Sequence, residues 1–168
     1  MREPKIRVLF QSIDCNPNNS NPPVNLNGSF TFAAPRPKVW KVINDPAVLA
    51  RHMPGCESLE MVSPDEFRAT LKIGLAAFKG TYIATLKLRE RVQNEGYILT
   101  VEGVGGPGFV KGEGRVLLAD AGPNTVLVYN GDLQIGGLLA RVGQRLIVGL
   151  ADKLTRDFFE SLGKEAVG

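Results

Sequence analysis

Six stretches between residues 56 and 136 alternate apolar with polar side chains, and only short turns separate them. A period of two is the pattern of half-buried strands. "CESLEMV" leads through Ser63-Pro64-Asp65 into "FRATLKIGL", where Phe67, Ala69, Leu71 and Ile73 share one parity. "GTYIATLKLRERV" sets Tyr82, Ala84, Leu86 and Leu88 against Thr81, Thr85, Lys87 and Arg89. Asn94-Glu95-Gly96 turns the chain into "EGYILTVEGV", and Gly122-Pro123-Asn124 joins "FVKGEGRVLLAD" to "TVLVYNGDLQIG". Strands linked this closely pair with their neighbours as an antiparallel meander.

One further strand and two short helices precede this block. "LNGSFTFAA" alternates, with Leu26, Phe30 and Phe32 on one face. "PRPKVWKVI" opens with prolines suited to a first helical turn. In "NDPAVLARHMPG", Asp45 caps a second helix, Pro46 takes its first position and Pro54-Gly55 ends it. After the meander, residues 137–164 carry Leu138, Val142, Leu146, Leu150, Leu154, Phe158 and Leu162 every four residues, widened by Leu139, Ile147 and Phe159. This reads as one long amphipathic helix. The expectation is an α+β fold: a curved antiparallel sheet of about seven strands around a long C-terminal helix, the helix-grip or Bet v 1-like architecture. The folded unit is placed at 26–165. Residues 1–25 form an extension, with strand composition at 6–13 and an Asn/Pro-rich linker after it.

"GVGGPGFVKGEG" contains a literal G-x-G-x-x-G at Gly103, Gly105 and Gly108. A dinucleotide-binding loop needs a strand before it and a helix after it. The strand is there, but "FVKGEGRVLLAD" continues with a period of two, so a long hairpin is predicted. The glycines then need another cause. Parity puts Gly112 and Gly114 on the inner face with Val110, Val116 and Leu118, and Gly131 there with Leu127, Tyr129 and Leu133. Some of these glycines serve curvature and close packing. As a set they leave side-chain volume missing between sheet and helix, which predicts an apolar ligand cavity. The expected lining is Trp40, Leu71, Tyr82, Ala84, Leu86, Tyr97, Leu99, Gly112, Gly114, Leu127, Tyr129, Val142, Leu146 and Leu150. The three inward tyrosines either orient a carbonyl or hydroxyl of the ligand or bond to backbone.

Little else in the chain suggests chemistry. The single histidine, His52, reads as a surface or capping residue. No His, Cys or carboxylate set has metal-ligand spacing, so neither a metal nor a tightly bound cofactor is expected. Cys56 follows a turn and has no partner base; Cys15 and Cys56 read as free thiols of a reducing compartment, with a bond between them left open. Net charge is +3 and the pI about 9.0. The cations are scattered, which argues against nucleic-acid binding. No stretch reaches the length of a membrane span. The expected location is cytoplasmic, with peripheral membrane contact at most.

"GSFTFAAPRPKVWKVINDPAVLARHMPGCESLE" resembles the start of the CoxG proteins, small subunits associated with carbon monoxide dehydrogenase. The matching positions are Gly28, Phe30, Phe32, Pro35, Val39, Trp40, Asp45, Pro46, Leu49, Pro54, Gly55, Cys56 and Glu57. "GGPGFVKGEG" and "DLQIGGLLARVGQRLI" also fit, so the resemblance covers residues 26–163. It implies the START/Bet v 1-like (SRPBCC) superfamily. It also implies a non-catalytic partner of a molybdenum-containing carbon monoxide dehydrogenase, linking it to the membrane or its quinone pool. The predicted ligand is therefore quinone- or lipid-like. The alternative within the superfamily is a polyketide cyclase/aromatase-like enzyme, which would need an acid–base pair in the cavity.

Overall fold

The computed structural model describes residues 24–74 and 78–167. The 6–13 segment and Cys15 lie outside the described residues. Strand β1 (Val24–Phe32) is followed by helices α1 (Arg36–Asn44) and α2 (Pro46–His52). Six strands come next: β2 (Cys56–Ser63), β3 (Glu66–Ile73), β4 (Gly80–Val92), β5 (Gly96–Gly105), β6 (Gly108–Ala121) and β7 (Asn124–Gly137). A 3-10 turn (Leu138–Arg141) leads into helix α3 (Gln144–Val167).

All seven strands form one antiparallel sheet in the order β1-β7-β6-β5-β4-β3-β2. The turns dictate this order: each strand from β2 to β7 pairs with the next in sequence, and β1 closes on β7. The G-x-G-x-x-G stretch is the turn of the β5–β6 hairpin, with Gly105 paired to Gly108. The period of two therefore prevails over the motif, and no helix opens there.

Both short helices form where their local signals place them. Pro35 precedes α1, with proline again in its first turn. The Asp45 carboxylate accepts from Ala47 N–H at 3.0 Å, satisfying an otherwise unpaired donor of α2. Thr125 is fully buried and donates its hydroxyl to Ala34 O at 2.7 Å, tying β7 to the β1–α1 loop.

The C-terminal helix differs from its expected form. The chain breaks at Gly143, whose φ of +102° lies in the left-handed region that favours glycine, and α3 starts only at Gln144. Residues four apart are also rotated by about 400°, so a strict four-residue repeat drifts by about 40° per step and leaves one face. Leu138 and Leu146 accordingly point to solvent, at 61% and 64% exposure. The buried side of α3 carries Ile147, Phe159, Leu162 and Ala166 instead.

The interior is divided in two. One cluster gathers Phe32, Val39, Ile43, Tyr97, Leu118, Leu127, Phe159 and Leu162. The other gathers Val24, Tyr82, Ile135, Leu139 and Ile147.

Candidate functional site

A cavity of about 380 Å³ lies between these two clusters. Its walls come from the rims of both: Leu99, Val116, Tyr129 and Phe158 on one side, Leu26, Leu71, Ile73 and Leu133 on the other. Leu154 and Thr155 of α3 and Met53-Pro54 after α2 complete it.

The strand register explains the gap. One cross-strand row on the inner face runs Leu88, Leu99, Gly114, Gly131, Leu26. The next runs Leu86, Val101, Gly112, Leu133, Val24. Three glycines thus sit side by side at the middle of the sheet, where side chains would otherwise meet α3. Close approach is part of their role. A Cβ on Gly131 would lie 2.8 Å from both Glu113 O and Gly114 Cα, and one on Gly112 would collide with Asp132 O. At Gly114 the nearest atom would be Asn130 O at 3.3 Å, which is tight but open toward the cavity. Both explanations of the glycines therefore hold together: backbone proximity requires two of them, and all three lower the floor.

Other glycines make room for aromatic rings. Tyr129 lies over its cross-strand partner Gly28, where an added Cβ would be 2.6 Å from the hydroxyl. The Tyr82 ring covers Gly105, and Phe30 lies against Gly163 of α3. Tyr129 in turn packs on Phe159, with ring centroids 5.4 Å apart.

Polar groups at the cavity are few. Burial pushes the Tyr129 phenol up, helped by the nearby Asp152 charge and opposed by Arg156, so it is an O–H donor at neutral pH. Thr155 adds a hydroxyl. Glu113 and Arg115 border the floor, but they belong to the opposite strand parity and pair with Arg89 and Glu90.

The cavity wall after α2 has a local cause. Gly55 adopts φ +73° and lies against Lys72 O, while its own carbonyl accepts from Lys72 N–H at 2.7 Å. This fixes Met53-Pro54 against the cavity. His52 bonds Glu165 of α3 at 3.0 Å, and Arg51 reaches the same carboxylate at 2.6 Å. The histidine thus clamps α2 to α3. Burial raises the Cys56 thiol, which donates to Ser58 O at 3.3 Å and stays protonated.

Of the predicted lining, the cavity brings together Leu71, Leu99, Gly112, Gly114 and Tyr129. Trp40, Tyr97 and Leu127 belong to the first core cluster, which is closed by α1 and α3. Trp40 packs edge-on to Tyr97, whose burial pushes its phenol up to about 12. Tyr82 and Val142 belong to the second cluster, and Tyr82 donates to Phe78 O at 2.8 Å. Ala84 is buried and Leu86 half-buried in the sheet, both away from the cavity. Leu146 faces solvent and Leu150 lies off the cavity, because the helix break and the drift turn other residues inward. Sequence reasoning missed Met53, Pro54, Thr155, Phe158 and Phe159. The last two already stood in the apolar stripe, and Pro54 ended a helix whose direction was unknown.

Among the described residues no group of His, Cys, Asp or Glu could hold a metal, and no helix is long and apolar enough to cross a membrane. No curated protein matches the chain significantly. A conserved protein from Geobacillus kaustophilus is 38% identical, with 85% of this chain and 95% of that one covered, at a TM-score of 0.83. A START superfamily protein from Mycobacterium smegmatis superimposes at a TM-score of 0.67 with 14% identity, over 84% of this chain and 96% of that one. The Zhui aromatase/cyclase from Streptomyces sp. R1128 does so at 0.61 with 18% identity, over 84% and 92%. These two likenesses concern the fold: a START/Bet v 1-like sheet closed by a C-terminal helix. The family model for the CoxG subunit of carbon monoxide dehydrogenase matches residues 28–167, and the chain belongs to that family.

Proposed function

We propose that this protein is a non-catalytic accessory subunit that holds a quinone- or lipid-like molecule in the cavity beneath α3, in association with a molybdenum hydroxylase-type carbon monoxide dehydrogenase. The observation that carries the reading is the glycine floor at Gly112, Gly114 and Gly131, which leaves an apolar space of about 380 Å³ between two packed cores. A volume of this size suits a small apolar ligand or one ring and part of its chain. The Tyr129 hydroxyl, kept protonated, is a donor for a ligand carbonyl. Family membership supports the dehydrogenase as partner.

Cyclase chemistry on this fold would require an acid and a base aimed at the substrate. Apart from Tyr129 and Thr155, and from Glu113, Arg115 and Asn130 on the opposite strand parity, the residues lining the cavity are apolar or glycine, which favours holding a ligand over transforming it. The test has two parts. Organic extracts of the purified protein are searched by mass spectrometry for co-purified lipid or quinone, and the protein is titrated with short-chain naphthoquinones and fatty acids. Saturable one-to-one binding is expected. No extractable ligand together with no binding across both series would overturn the reading. Co-elution with the dehydrogenase tests the partner separately.

A further inference from the structure

We infer that residues 6–13 of this chain dock along the free edge of β2 as an eighth, antiparallel strand. β1 and β2 are the two edges of the sheet, and among the described residues β2 pairs with β3 alone. An unpaired strand edge is a template for another strand. Along β2, Glu57, Ser58 and every residue from Glu60 to Ser63 are exposed. Met61 lies opposite the buried Phe67, yet it is 56% exposed, beside Val62 at 51%. The register is regular from Ser58 to Met61, so this length of edge has the spacing a partner strand needs. At the other edge, β1 has no exposed large hydrophobic residue, and its Phe30 is already covered by Gly163 of α3.

The occupant is written in the sequence. "IRVLFQSI" at 6–13 has strand composition. Set antiparallel to β2 with Phe10 opposite Met61, it puts Leu9 opposite Val62. Each exposed apolar side chain of β2 then gains an apolar neighbour on its own face. The same direction carries Cys15 to the end of β2 where Cys56 stands, and these are the chain's two cysteines. A parallel strand would leave Cys15 beyond Ser63 instead. The apolar match and the meeting of the cysteines thus select one orientation independently.

The connection is long enough. Val24 pairs with Leu133, so β1 points its N-terminal end toward Gly137. The row of Gly137 continues through Gly108, Gly105, Tyr82 and Leu71 to Cys56, at that same end of the sheet. The row through Val24 itself ends on Met61, about 29 Å away along the sheet and less across its curve. The chain from Cys15 to Val24 extends to about 30 Å. Residues 1–14 carry Arg2, Lys5 and Arg7 against Glu3 and Asp14, whereas β2 carries Glu57 and Glu60 and no cation. A second copy of β2 would bring only acids to this edge, which favours the chain's own N-terminal segment. The inference does not depend on the cavity or its ligand.

The test combines cysteine cross-linking with hydrogen exchange on the full chain. Diamide takes two electrons and two protons from a pair of thiols, which form one S–S bond while the diamide becomes its hydrazine. A Cys15–Cys56 disulfide within one chain is expected, read by peptide mapping as the loss of two hydrogens. It should form at least about tenfold faster than in L9D/F10D. M61S/V62S should show the same loss from the other side of the contact. Every second amide of Ser58–Val62 points away from β3. These amides should exchange at least about tenfold more slowly in the wild type than in L9D/F10D, with the amides of β6 unchanged. The β6 amides separate loss of the contact from loss of the fold. Equal exchange at 58–62 in wild type and L9D/F10D would overturn the inference. So would a disulfide found only between chains, which would give the edge to a second copy, or one that forms no faster than in L9D/F10D.

Discussion

Replacing Gly114 with leucine and Gly131 with alanine separates the two roles of the cavity floor. These residues are cross-strand partners on the same inner row, yet an added Cβ meets different surroundings. At Gly114 the nearest atom is Asn130 O at 3.3 Å, and the rest of the side chain extends into the cavity. Crowding at that contact costs about 1 kcal/mol, at the low end for overpacking. Replacing glycine returns roughly 0.4–1 kcal/mol through the unfolded chain. Filling part of the space contributes further, at about 24 cal/mol per Å³ of cavity removed. Gly114→Leu should therefore lie within about 1 kcal/mol of wild type or above it. At Gly131 the Cβ would sit 2.8 Å from Gly114 Cα and Glu113 O, both backbone atoms in the middle of the β6–β7 ladder. That pairing cannot move freely, so Gly131→Ala should cost about 1–3 kcal/mol, or roughly 3–9 °C in melting temperature. Thermal melts and displacement of a fluorescent fatty-acid probe read both effects. Gly114→Leu should keep its melting temperature and bind the probe at least about tenfold more weakly. Equal destabilisation of the two variants would refute the register argument, and unchanged probe binding by Gly114→Leu would remove β6 from the ligand site.

Tyr129→Phe removes only the hydroxyl, and should weaken a naphthoquinone by about 3- to 10-fold, the worth of one hydrogen bond, with little effect on binding of a pure hydrocarbon chain; isothermal titration with the two ligands checks this. Gly55→Ala should destabilise by about 1–3 kcal/mol, because alanine at φ +73° is strained and its methyl meets Lys72 O; denaturant titration measures it. The His52 hydrogen bond, and then the Arg51 charge, hold the Glu165 carboxyl below its usual range. A depressed folded-state value means stability that is present above the unfolded value of 4.5 and lost as pH falls through the folded one. Glu165→Gln should therefore melt below wild type at neutral pH, and the difference should close below about pH 4. A gap that persists in acid would show that the α2–α3 clamp does not act through this carboxylate.

Much of this fold is local in origin and so could be read from the residues. The alternation at Phe67, Ala69, Leu71 and at Tyr82, Ala84, Leu86 assigns each strand its inner face, because successive side chains must point to opposite sides. Short turns then force neighbouring strands to pair, and Asp45, Pro46 and Gly55 set the limits of the second helix within a few residues. Parity also identified Gly112, Gly114, Leu99 and Tyr129 as inward-facing. It could not say how far along each strand the helix crosses, since that depends on contacts between segments distant in sequence. Inner-face residues such as Tyr97, Leu127 and Tyr82 therefore became packed core, while Val116 and Tyr129 in the row of Tyr97, and Leu71 opposite Tyr82, face the cavity. The left-handed turn at Gly143 was equally hidden, because glycine permits that conformation without requiring it. It decides which side of α3 turns inward, bringing Phe158 and Phe159 to the cavity and leaving Leu146 in solvent. The inner and outer faces of the strands were thus a property of the sequence, while the position of the cavity between them was decided by where one helix, redirected at a single glycine, comes to rest on the sheet.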